Sequence, residues 1–135
     1  MDNNNQESLE EKIQALNDTA DTTNEHDPQD IEKNKLMGIL AYLGILVLIP
    51  LFAAKESKFA RFHTNQGLLL CICGIILYLI CRILLAISWK LAALVGIFLW
   101  IIEVALLILA IIGIINVVKG RAKELPLVGK YRILK

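Results

Sequence analysis

Charge is what the middle of this sequence lacks. Of the 83 positions from 36 to 118, only Lys55, Glu56, Lys58, Arg61, Arg82, Lys90 and Glu103 bear an acidic or basic side chain. A stretch so composed cannot supply the polar shell of a water-dispersed globule, which excludes a soluble single domain. Cysteine is scarce as well, at three residues, and Cys71, Cys73 and Cys81 all fall within one apolar run. Two positions apart on a helix, Cys71 and Cys73 point to different faces, so they form neither a local disulfide nor a shared tetrahedral metal site and are read as packing residues. There is no HExxH, no serine elbow and no glycine-rich phosphate loop, and His63 has no second histidine near it, since His26 lies far upstream. These absences argue against an enzyme and against a bound cofactor. The opening MDNNNQES has no positively charged n-region, so no cleavable signal peptide is expected.

What is present is apolar length. Runs at about 36–54, 67–89 and 93–118 each reach the roughly 20 residues that cross a hydrocarbon core at 1.5 Å rise. The expectation is an all-α integral membrane protein with three transmembrane helices, its first two joined by an amphipathic basic connector at 55–66. Three regions follow: an acidic, disordered tail at 1–27, a helical membrane domain at 28–120 and a basic tail at 121–135. Asp27, Pro28 and Asp30 have the order of an N-cap, a first-turn proline and a first-turn acid, so a helix begins near Pro28 and runs into the membrane. Gly38, Ala41 and Gly44 leave a shallow groove on it, and Pro50 is expected to kink or end it. Lys119 and Gly120 supply a cation and a C′ glycine to stop the last span.

In the connector, Lys55, Lys58 and Arg61 alternate with Phe59 and Phe62, as in a turn lying flat with rings in the acyl boundary and cations on anionic headgroups. Thr64 or Asn65 would cap the second span, leaving His63 and Gln66 at the membrane surface. The basic C-terminal tail, directly after a span, suits anionic lipid rather than nucleic acid. Nine Lys and Arg residues flank the spans on the side of the connector and C-terminus, against Lys33, Lys35 and Lys90 on the other. The positive-inside rule then puts connector and C-terminus in the cytoplasm of a bacterial cell membrane and the acidic tail outside.

Arg82 and Glu103 are the ionisable residues inside the spans. With a turn centred on Lys90 they lie roughly 12 and 20 Å deep, and their side chains lean toward each other, so an interhelical ion pair is expected. Asn116 would hydrogen-bond across helices, and Tyr78 and Trp100 read as packing residues.

The segment FARFHTNQGLLL at 59–70 resembles the small multispan membrane proteins related to the import subunit of the chloroplast inner-envelope translocon. Arg61, Phe62, His63 and Gln66 are its specific part; Pro50, the NVVKG at 116–120 and the LPL at 125–127 fit the same likeness. The resemblance implies a helical membrane module without enzyme activity, working as a subunit or channel-like component. Two functions compete on these grounds. One is an interaction module that oligomerises or docks on a larger complex; the other is a small oligomeric channel or transporter with Glu103, Arg82, Tyr78 and Asn116 along its path.

Overall fold

A computed structural model describes residues 2–16 and 18–134, and it is helical throughout. Five α-helices follow in order: α1 (Asp2–Leu16), α2 (Pro28–Leu40), α3 (Leu48–Ala53), α4 (Lys58–Ile87) and α5 (Trp89–Val118). Single 3-10 turns lie at Thr23–Glu25 and Gly44–Val47.

Two of these helices, α4 and α5, are long and apolar enough to cross a membrane, with mean hydropathy of 2.8 and 2.9 over their best windows. Only 6% of each window is buried within the chain. A soluble core helix of that hydropathy would be covered by protein; here Ile83, Leu94, Phe98, Trp100 and Leu107 stand exposed in a continuous apolar surface. Lipid is the solvent that tolerates it, and a helix satisfies its own backbone there. A single residue, Ser88, joins the pair. It ends α4 in extended backbone, and its side chain accepts the Leu91 N–H at the start of α5.

The first apolar run, expected as one of three spans, is not a single continuous helix. Asp27 caps α2 as its sequence indicates, its carboxylate accepting the Gln29 N–H at 2.9 Å ahead of Pro28. The helix then stops at Leu40, well before Pro50, and Gly44 turns the chain at φ +60°. Pro50 sits in the first turn of α3, where a missing N–H costs nothing. The break has a packing cause. A Cβ on Gly67 would lie 1.7 Å from the Ala41 carbonyl oxygen, and one on Gly113 would lie 2.4 Å from the Tyr42 ring. These two glycines let the end of α2 press onto α4 and α5, which directs Tyr42 inward.

The polar ends of α2, α4 and α5 gather into one head at the open end of the α4–α5 hairpin. The tail expected to be disordered joins it: the Thr22 N–H donates to the Ala122 carbonyl at 2.9 Å and the Glu124 N–H to the Ala20 carbonyl at 2.9 Å. Residues 20–22 and 122–124 are therefore bonded to one another, where an N-terminal tail on the opposite side from the C-terminus was expected.

Candidate functional site

The head is built on the first four turns of α4. Ser57 caps the helix by accepting the Ala60 N–H at 3.0 Å, so the helix starts seven residues earlier than a cap at Thr64 would allow. Asp30 on α2 reinforces that start, its Oδ2 accepting the Phe59 N–H at 3.1 Å while Oδ1 accepts from Asn34. Burial acts to raise the Asp30 carboxyl; hydrogen bonds from Ser57, Phe59 and Asn34 outweigh it and hold the group below its ordinary value. Thr64, inside the helix, donates to the Ala60 carbonyl one turn back at 2.7 Å.

His63 is the centre, with no solvent exposure. Its Nε2 lies 2.9 Å from the Arg121 carbonyl, which can only accept, so Nε2 carries the proton. Nδ1 is left as an acceptor, and the Tyr42 hydroxyl donates to it at 2.8 Å. The rings of Phe59 and Phe62 close on the imidazole edge to face, with centroids 4.8 and 5.1 Å away. Phe59 is fully buried and Phe62 nearly so, where the sequence placed both rings in the acyl boundary. Burying each stabilises the head by about 2–3 kcal/mol.

The next two side chains of the motif tie down the C-terminal tail. Gln66 accepts the Leu125 N–H at 2.6 Å, and Asn65 accepts from the Ile133 and Leu134 N–H groups while donating to the Tyr131 carbonyl at 2.8 Å. The tail reaches them because α5 ends cleanly. Gly120 adopts φ +69°, its N–H returns to the Val117 carbonyl, and the Arg121 N–H returns to that of Asn116, a Schellman motif. One turn thus orients the Arg121 carbonyl that His63 holds. Two buried amide nitrogens, Gln66 Nε2 and Asn116 Nδ2, have no hydrogen-bond partner among the described residues.

Phe62, His63 and Gln66 are therefore brought together on the inside of the head, with Arg61 half-buried at its edge. Arg82 and Glu103 are not. The ion pairs among the described residues are Lys35 with Glu32 and Arg132 with Glu124, and both Arg82 and Glu103 are exposed on the hairpin. The turn falls at Ser88, so Arg82 is six residues and Glu103 fifteen residues from it, roughly 9 and 22 Å at helical rise. A gap of about 13 Å along the bundle exceeds what the two leaning side chains span. Glu103 lies instead, with Tyr42, Cys71 and Tyr78, along a groove of about 420 Å³ between the helices. No three His, Cys, Asp or Glu side chains among the described residues are placed to hold a metal. Sequence reasoning missed Tyr42, Asn65, Ser57 and Asp30 as parts of the site; the signal for Tyr42 was a lone hydroxyl in an otherwise apolar run.

A lipid-facing helical hairpin carrying a polar head, closed on a buried histidine by both ends of the chain, defines the class: a small helical membrane protein. Residues 33–133 match the magnetosome magnetite crystal formation protein family, MamF/MmsF, and the chain belongs to that family. It is 30% identical over 99 residues to the magnetosome protein MamF of Paramagnetospirillum magneticum, covering 73% of this chain and 82% of the relative. The magnetosome protein MmsF of the same organism is 25% identical over 96 residues, covering 71% of this chain and 82% of that protein. MamF of Magnetospirillum gryphiswaldense is 28% identical over 99 residues, with 71% and 79% covered. No solved structure matches the chain. The family match overturns the resemblance to the chloroplast import translocon drawn from residues 59–70.

Proposed function

We propose that this protein resides in the magnetosome membrane and takes part in magnetite crystal formation, without enzymatic chemistry, as a homo-oligomer or as a subunit of a membrane assembly. One observation carries the reading: the family match at 33–133 includes Tyr42, the motif at 61–66, Asn116 and the tail up to Ile133. The matched part thus holds the hairpin and the buried histidine with its two partners, while the N-terminal arm and Asp30 lie outside it. In this reading the head faces the cytoplasm, as its Lys and Arg residues favour, and Ser88 reaches the opposite compartment. Lys55, Lys58, Arg61 and the C-terminal tail lie beside anionic headgroups.

Expression of a fluorescent fusion in Paramagnetospirillum magneticum lacking its MamF and MmsF tests this. The fusion should line the magnetosome chain, and crystal dimensions by electron microscopy should differ between cells with and without the protein. A fusion spread evenly around the cell with unchanged crystals would overturn the reading.

A small oligomeric channel or transporter is the second reading, favoured by Glu103 in its groove with Tyr42 and Tyr78. Two crossings enclose no pore, so several copies must associate. Ion flux in liposomes that Glu103→Gln abolishes would favour this reading, and flux indifferent to the change would remove it.

A further inference from the structure

Glu103 is the one acidic residue in α4 and α5, and its carboxylate has no ion-pair or hydrogen-bond partner among the described residues. Its depth makes that unfavourable. Counting about 30 Å of hydrocarbon from Trp89 at 1.5 Å per residue puts the head-side boundary near Leu109, so Glu103 lies about 9 Å inside it. A helical side chain leans toward the N-terminus of its own helix, here toward Ser88 and away from that boundary, and a glutamate is too short to turn back to water. Ionisable side chains at such depth ordinarily face protein or a water-filled cavity and pair with another group. Arg82 does not meet the need. The two residues stand about 13 Å apart along the hairpin, and a second copy inserted the same way keeps that difference in depth.

Glu103 lines a groove of about 420 Å³ between α4 and α5 that is otherwise mostly apolar. On α4 the groove follows Gly67, Cys71, Gly74 and Tyr78, one helix face over three turns and about 16 Å. Gly74 leaves its floor empty, with nothing within 4 Å of an added Cβ, and Tyr78 at its rim is exposed. A trough of that length, open to hydrocarbon, suits the side chains of another helix, whose backbone is satisfied there without water. A bare metal ion is a poor occupant, because no three His, Cys, Asp or Glu side chains among the described residues converge to hold one.

We propose that this groove seats a transmembrane helix of another membrane protein, one that carries a lysine or arginine at the depth of Glu103 and pairs with it. The ion pair fixes the register of the incoming helix, and the bare floor at Gly74 lets its side chains come close. The proposal deepens the reading of the chain as a subunit of a membrane assembly, and it rests on that reading.

Full-length protein in phosphatidylcholine vesicles provides the test, with energy transfer from Trp89 and Trp100 to a dansyl group on a designed single-span peptide. The peptide is rich in leucine and alanine and carries one lysine about 9 Å inside the head-side boundary; its twin carries leucine there. The lysine peptide should bind about tenfold more tightly than the twin, and Glu103→Gln should abolish the difference. Gly74→Leu, which fills the floor where an added Cβ meets nothing, should weaken the lysine peptide to a similar degree with an unchanged melting midpoint. Arg82→Gln should leave the preference intact. The proposal is overturned if the two peptides bind alike or not at all, which leaves the groove to lipid, or if the lysine preference survives Glu103→Gln. It is overturned equally if Glu103→Gln or Gly74→Leu abolishes association between copies of the protein itself, which makes a second copy the occupant. Since the vesicles hold no mineral and no magnetosome, failure here leaves the magnetosome reading standing, and failure of that reading leaves a lysine preference measured here intact.

Discussion

The Tyr42 hydroxyl donates to Nδ1 of His63 across 2.8 Å, and this bond fastens the end of α2 to α4 at the point where the Arg121 carbonyl fastens the C-terminal tail. The imidazole is thereby a bracket with both nitrogens occupied. Tyr42→Phe keeps the ring against Gly113 but leaves Nδ1 buried and unsatisfied, which should cost about 1–3 kcal/mol. His63→Leu should cost more, since both bonds are lost and the Tyr42 hydroxyl is stranded in turn. Thermal unfolding in detergent measures both. A Tyr42→Phe variant as stable as wild type would show that the bond contributes nothing.

Glycine substitutions should sort by what surrounds them. Gly67→Ala meets the Ala41 carbonyl and Gly113→Ala meets the Tyr42 ring, so each should destabilise the head by about 1–3 kcal/mol or more. Gly74 also lies in α4 but has nothing within 4 Å of an added Cβ. Gly74→Ala should be neutral or mildly stabilising from helix propensity alone. Equal melting shifts at all three would contradict the close approach of α2.

Acid should loosen the head in two stages. Burial lowers the His26 imidazole below its ordinary value of 6.5, with Lys58 and Arg132 adding to the shift and Asp30 and Glu25 opposing it. Its unfolded form therefore takes up a proton more readily, and stability present above 6.5 declines as pH falls below that value. Asp30 is lowered from 3.8, so its contribution is complete above that value and is lost as pH falls through its folded-state value. The buried His63, neutral in the folded head, must also be charged in that first stage, so His26→Phe should flatten it only in part, and Asp30→Asn should flatten the second, in melting curves recorded against pH. Unaltered curves would separate both groups from acid stability.

Topology has a direct readout. In a variant whose native cysteines are replaced by serine, single cysteines at Ser8 and Lys130 should react with an impermeant maleimide from one side of sealed vesicles, and one at Ser88 from the other. Labelling of Ser8 and Lys130 from opposite sides would restore a third crossing.

Charge exchange between Arg82 and Glu103 should rescue nothing. With the turn at Ser88 the residues stand about 13 Å apart along the hairpin, so Arg82→Glu with Glu103→Arg should be no more stable than the worse single change. Recovery in the double variant would place the two side chains in contact, within the chain or between copies.

The sequence carried some of this architecture on its surface. Asp27 with Pro28 marked the start of α2, Lys119 with Gly120 marked the stop of α5, and hydropathy marked the two lipid-facing helices, because each is a local or one-dimensional signal. The break after Leu40 was not legible: an apolar run has the same composition whether it crosses a bilayer or folds over a helix pair, and what decides is the fit of Ala41 and Tyr42 onto Gly67 and Gly113. The same holds for the motif. His63 and Gln66 were expected at the membrane surface, yet their partners Arg121 and Leu125 lie 58 and 59 positions away and draw them inside. No spacing rule joins them. Phe59 and Phe62 were misplaced because aromatics beside cations look alike at a membrane interface and around a buried ring.

The one-residue link at Ser88 bears on the proposed role in crystal formation. Where α4 turns into α5 the chain offers a serine, an indole and an ammonium, with the Arg82 guanidinium a turn and a half behind them. On that proposal, with no acidic side chain from Arg82 to Lys90 to meet a mineral lattice, the influence on a particle would run through the membrane in which the polar head is seated.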